Sequence, residues 1–301
     1  ALYNLVEGPQ FQDFLIIRMG LVVIGRTVEH QDLADGPDAY PVGGSKVVDQ
    51  FMLPGKRQTF FDSTSCSMCL STLSSATICF KRLFSSSAVV SGGRQYIVQN
   101  NIIDSVAAQK VEYETSTGNF VIKEHTGSSA SLAVSFPSIF IGNNNGHATT
   151  DSNLPKRNGA IGSLQTGWTW SKSGVSASAD FLPLINLWFT ASETGNILGP
   201  EKWLEIWMAK PTSHNPSGVQ IASNVNIGGS LWNVWKDGSN ITYVASSELL
   251  SVNFDLKPFI NDAIPQLTIS DSDYLHDVIA GFRIWSAGAG LSSSGFSAIV
   301  N

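Results

Sequence analysis

The sequence predicts an all-β chain built as an antiparallel sandwich, and three observations carry that prediction. Only 14% of the 301 residues are charged and 43% are hydrophobic, with abundant Gly, Ser, Thr and Asn. This composition suits half-buried pleated strands better than helices. Short apolar or alternating runs recur from Gly92 onward between Gly, Asn, Ser and Pro clusters, the spacing of a sandwich or barrel. A three-to-four residue period appears within Ser251 to Ile264, at Leu256, Phe259, Ile260 and Ala263, and predicts a single helix there.

Taken in order, residues 1 to 90 form an N-terminal extension of unknown role. They hold an apolar stretch from Phe14 to Val23 that reads as a strand, a Gly/Pro/Asp-rich stretch from Asp32 to Gly44, and Ser-rich segments at Ser63 to Ser75 and Ser85 to Ser91. Residues 91 to 301 form the sandwich. Its predicted strands are Gln95 to Gln99, Lys110 to Glu114, Asn119 to Lys123, Ser131 to Ile141, Thr166 to Ser171, Val175 to Phe181 and Leu184 to Thr190, then Lys202 to Ala209, Gln220 to Ile227, Ser230 to Lys236, Ile241 to Ser246 and Tyr274 to Trp285.

A net charge of −6 offers no attractive field to nucleic acid or to an anionic membrane. No apolar run reaches the roughly 18 residues of a membrane-spanning helix. Cys66, Cys69 and Cys79 supply half a zinc-type spacing with no second half, so buried thiols or one local disulfide are expected rather than a metal site. No cofactor is indicated. His147 and His214 lie in Gly/Asn/Pro-rich loops and are expected to be exposed.

The run from Glu201 to Met208 is the most informative strand. Alternation puts Leu204, Ile206 and Met208 on one face and Glu201, Trp203, Glu205 and Trp207 on the other. The second face interleaves carboxylates with indoles. Sugar clefts need acids at the linkage and apolar platforms under the rings, although an ordinary amphipathic surface strand alternates Trp and Glu as well. Trp232 and Trp235, three residues apart, fall on opposite faces, one toward a cleft and one toward the core.

Seven segments occur together in order: Tyr96 to Asn101, Phe136 to Gly142, Trp168 to Ser171, Leu204 to Trp207, Gly228 to Trp235, Phe254 to Ala263, and Gly281 to Ser297. In that combination the chain, from about residue 92 to the end, resembles glycoside hydrolase family twelve, secreted endo-β-1,4-glucanases and xyloglucanases. The resemblance implies a concanavalin-like jelly roll of two curved antiparallel sheets, a β-glucan-type polysaccharide as partner, and a secreted or surface location. The family uses two glutamates in a retaining mechanism. Its nucleophile position is Trp203 here and its acid/base position is Arg283, so neither carries a carboxylate.

Arginine does not release a proton near neutral pH. The fallback carboxylates are Glu205 and Glu201, two residues from Trp203 and therefore displaced by about 6.6 Å along the strand. That exceeds the 5 to 5.5 Å working separation of a retaining pair. An inverting pair of Glu205 with Asp273 or Asp277 remains open, and Trp207, Trp232 and Asn101 are the candidate binding residues. The sequence thus leads to the expectation of a catalytically inactive jelly roll with a structural, assembly or recognition role, self-association into a filament, coat or particle among them, with Arg283 paired to Glu205 or Glu201. The alternative is an atypical endo-β-1,4-glucanase or xyloglucanase with relocated carboxylates.

Overall fold

The structure is a computed structural model that describes residues 75 to 78 and 86 to 301, except 105 to 106, 195 to 199 and 267. The three cysteines, the stretch at 14 to 23 and nearly all of the N-terminal extension lie outside the described residues. What is described confirms a two-sheet sandwich with one short helix.

The smaller sheet runs in the order β1 (Ser75–Ile78), β4 (Ala108–Glu114), β5 (Phe120–Thr126), β17 (Ser292–Val300), β9 (Leu164–Ser171) and β15 (Ser251–Asp255). The larger runs β12 (Val219–Ile227), β13 (Ser230–Asp237), β14 (Asn240–Ala245), β11 (Lys202–Trp207), β10 (Asp180–Thr190), β16 (Tyr274–Ser286), β6 (Ser138–Asn144), β3 (Arg94–Gln99) and β2 (Ser86–Ser91). Its neighbours are antiparallel except β11 with β14, which pair in parallel.

Three sequence expectations need correction. The helix is shorter than its apolar period, since Ser251–Asp255 forms an edge strand and the helix α1 spans only Lys257–Ala263. Pro258 in its first turn occupies a position where the missing N–H costs nothing. Strands β2 and β17 lie in Ser-rich stretches whose composition hides them, and Val175 to Phe181 is mostly a turn that precedes the long β10.

The core between the sheets is aromatic at its centre. Phe282 of β16 meets Phe120, Trp168 and Trp170, with ring centroids 5.8 to 6.3 Å apart. Edge and tilted geometries of this kind add to the burial of large apolar area. Trp168 and Trp170 remain satisfied because their indole N–H groups donate to Ser293 Oγ and Leu249 O.

Candidate functional site

A second apolar cluster lies on the outer face of the larger sheet, the side turned away from that core. It includes Ile97, Phe136, Phe140, Leu182, Leu184, Trp207, Val244, Ile279 and Trp285. Strand alternation separates the two faces cleanly: Leu204 and Ile206 belong to the core, while Trp207 belongs to the outer cluster.

Register places the polar residues of the outer face. Thr242, Glu205, Asn186 and Ile279 are successive cross-strand partners on β14, β11, β10 and β16. One row along, Trp203 pairs with Trp188 and Trp188 with Asp277. Arg283 is opposite Leu182, four residues along β16 from Ile279. In a flat sheet that offset is about 13 Å along the strand plus two strand spacings of about 4.8 Å, farther than an Arg and a Glu side chain span together. Yet both guanidinium nitrogens of Arg283 hold Glu205, Nη1 at 3.2 Å from Oε2 and Nη2 on Oε1. The face must therefore fold inward into a groove. On the other side of β16, Gly281 lets the chain entering β6 approach closely, because a Cβ there would lie 2.4 Å from Pro137 O.

Glu205 is the centre of the arrangement. Its side chain is 4% exposed against 30% for Arg283, and the Trp207 indole N–H donates to Oε2 at 2.8 Å. A bidentate guanidinium and an indole N–H thus satisfy a carboxylate that burial would otherwise penalise. Directly opposite, Asn186 keeps a buried Oδ1 with no hydrogen-bond partner.

The other sequence candidates divide. Of the two partners foreseen for Arg283, Glu205 is the one engaged; Glu201 is exposed and accepts from Ala191 N. Trp203 lines the outer face beside Trp188, with both indoles partly exposed. Trp232 is a correction: it is fully buried in the core against Phe254 and Phe259, with its N–H on Ile227 O, and Trp235 takes the outer face instead. Asn101 turns the chain after β3 with φ 41° and accepts from Phe136 N through its carbonyl.

Neither partner foreseen for an inverting pair stands free. Asp273 is bound to Lys202 at 2.7 Å. Asp277 is fully buried and accepts from Asn144 Nδ2 and Trp188 N at 2.8 and 3.2 Å, and burial pushes its carboxyl well above the ordinary range against the pull of those two bonds. Among the described residues, no group of His, Cys, Asp and Glu could hold a metal ion.

His214 also departs from expectation. It is half-buried, stacked on Trp285 with ring centroids 3.8 Å apart, and its Nε2 lies 3.0 Å from Asp180 Oδ2. Nothing local in the sequence marks this, because 34 residues separate the partners: β10 and β16 set Asp180 beside Ser286, and the segment that follows β11 returns His214 to them.

The profile of Glycosyl hydrolase family 12 matches residues 93–301. A probable cellulase, Cel12b of Mycobacterium tuberculosis, is 34% identical over 158 residues, covering 50% of this chain and 99% of that protein. The xyloglucan-specific endo-beta-1,4-glucanase A of Emericella nidulans is 31% identical over 150 residues, 47% of this chain and 60% of that protein. Among solved structures, a metagenome-derived family 12 endoglucanase aligns with a TM-score of 0.68 at 34% identity over 75% of this chain and 98% of its own. Endoglucanase cel12A of Rhodothermus marinus gives 0.68 at 31% identity over 75% and 99%. These relatives overturn the expectation of an inactive assembly or recognition protein, since each is described as a glycan hydrolase and nothing in the fold or the groove indicates an assembly role. The chain belongs to glycosyl hydrolase family 12.

Proposed function

We propose that this protein hydrolyses internal linkages of a β-1,4-glucan, cellulosic or xyloglucan in type, with Glu205 as its essential carboxylate. The observation that carries this is the match of a hydrolase family across 93–301 combined with a buried carboxylate at the centre of the groove. Trp203 and Trp188 supply apolar platforms beside it. The unpartnered Oδ1 of Asn186 supplies an acceptor for a sugar hydroxyl, a partner that would relieve the cost of an unmade buried hydrogen bond.

The mechanism follows from which carboxylates are missing. With Trp203 and Arg283 at the positions the family resemblance assigns to its glutamate pair, a covalent glycosyl intermediate formed at the usual site has no nucleophile. Glu205, one half of an ion pair, acts instead as the base for a water molecule in a single displacement, which inverts the anomeric centre. Substrate must move the Arg283 side chain aside, since it covers Glu205.

The test is release of reducing ends from barley β-glucan, carboxymethylcellulose and xyloglucan, with the anomer of the fresh product followed by NMR. We expect turnover, an α-configured first product, and a loss on the order of 10²-fold or more in Glu205→Gln. No release from any of the three polymers, or a Glu205→Gln variant as fast as wild type, would sink the proposal.

A further inference from the structure

An inverting displacement needs a proton donor at the leaving oxygen, and the resemblance-assigned donor position holds Arg283. We infer that His214 supplies that proton, held in place by Asp180. This assignment rests on the hydrolase reading above.

Four features of the fold point to it. Trp285 is the next residue after Arg283 on the same face of β16, about 6.6 Å along the strand, and it belongs to the outer cluster. The imidazole of His214 covers that indole at 3.8 Å with planes 17° apart. Asp180 Oδ2 holds Nε2 at 3.0 Å and is itself fixed by the Ser213 hydroxyl at 2.7 Å. Nδ1 is left without a protein partner among the described residues, on a side chain 14% exposed. A carboxylate that engages one ring nitrogen sets the ring's orientation and leaves the other to the reaction, the usual arrangement of a working histidine. Asp180 is also the residue at which β10 pairs with Ser286 of β16, so the dyad is tied to the strand that carries Arg283.

In the step itself, Glu205 takes a proton from water and the water oxygen bonds to the anomeric carbon. The glycosidic C–O bond breaks with its electron pair on the leaving oxygen, which receives the Nδ1 proton of the imidazolium. One water is consumed. Glu205 then loses its proton and His214 regains one through solvent.

The experiment compares wild type, Glu205→Gln and His214→Gln on barley β-glucan and on 2,4-dinitrophenyl β-cellobioside, whose phenolate leaves without a proton. Loss of a general acid should cost about 10²-fold to 10⁴-fold on the polymer, with the aryl glycoside rate within about threefold of wild type and Glu205→Gln slow on both. In His214→Ala, added imidazole should restore part of the polymer rate. Equal losses on both substrates, or none on either, would overturn the assignment of His214 while leaving the hydrolase reading intact. A wild-type protein that turns over neither substrate would overturn both.

Discussion

Phe282 and Arg283 are neighbours on one strand and live in different chemical worlds. Phe282 points into the core, fully buried among Phe120, Trp168 and Trp170. Arg283 points to the outer face and binds Glu205. Both faces of the larger sheet bury large apolar side chains, but the inner one is predominantly hydrocarbon, its few polar atoms, such as the Trp232 N–H and the Tyr243 hydroxyl, hydrogen-bonded. The outer one buries Glu205, Asn186 and Asp277 beside Phe140, Leu184 and Ile279. A sheet face can bury polar groups as deeply as a core buries hydrocarbon, provided that each charge is paired.

Five variants sharpen or break this contrast. Phe282→Ala should have the largest effect, about 4 kcal/mol by chemical denaturation, because the surrounding rings collapse only partly into the void. Arg283→Ala should cost about 3 kcal/mol, at the low end for a broken buried pair because Arg283 is partly exposed. An unchanged melting temperature there would mean that Glu205 does not depend on Arg283. Trp207→Phe should cost about 2 kcal/mol by removing the indole donor from Glu205 while keeping most of the ring. A cost near zero would assign Trp207 to packing alone.

The smallest effects are pH-dependent. Burial lowers His125 from 6.5 to about 4, so the native ring stays neutral while the unfolded one charges. Its contribution is complete above pH 6.5 and is lost as the pH falls toward 4. Asp277 works in the other direction: its raised pKa keeps the native carboxyl protonated when the unfolded one has ionised, so stability from it is greatest at low pH and declines as pH rises above the ordinary carboxylate value. Thermal denaturation of His125→Gln between pH 4 and 7 should lack the acid-side loss, and Asp277→Asn should lack the opposing gain. Parallel curves for wild type and His125→Gln would show that this ring titrates alike in the native and unfolded states and that burial does not shift it.

Much of the sandwich was legible because alternation is local. The run from Glu201 to Met208 showed its two faces in eight letters, and Tyr274 to Trp285 was bounded within one residue of its observed end. Serine-rich strands such as Ser292–Val300 escaped, since their strand conformation is imposed by β5 and β9 on either side rather than by hydrophobic contrast. Trp232 was misplaced because period-two alternation says that Trp232 and Trp235 differ in face without saying which one is inside.

The groove was legible only in part. Its two departures, Trp203 and Arg283, stand out once the ordered segments are aligned, but they invite the conclusion that chemistry has gone. The relatives overturn that conclusion, and Glu205 and His214 are the residues we propose in place of the missing pair.

The sequence by itself determined the alternating faces, the short helix around Phe259, and the absence of carboxylates at positions 203 and 283. Only the tertiary structure decided that Arg283 reaches Glu205 rather than Glu201, that Trp232 is core, and that His214 meets Asp180 on the indole of Trp285. The physical reason is range. Side-chain direction along a strand follows from the next two residues, whereas ion pairs and ring stacks between strands depend on register, curvature and loop return, which the whole sheet sets together.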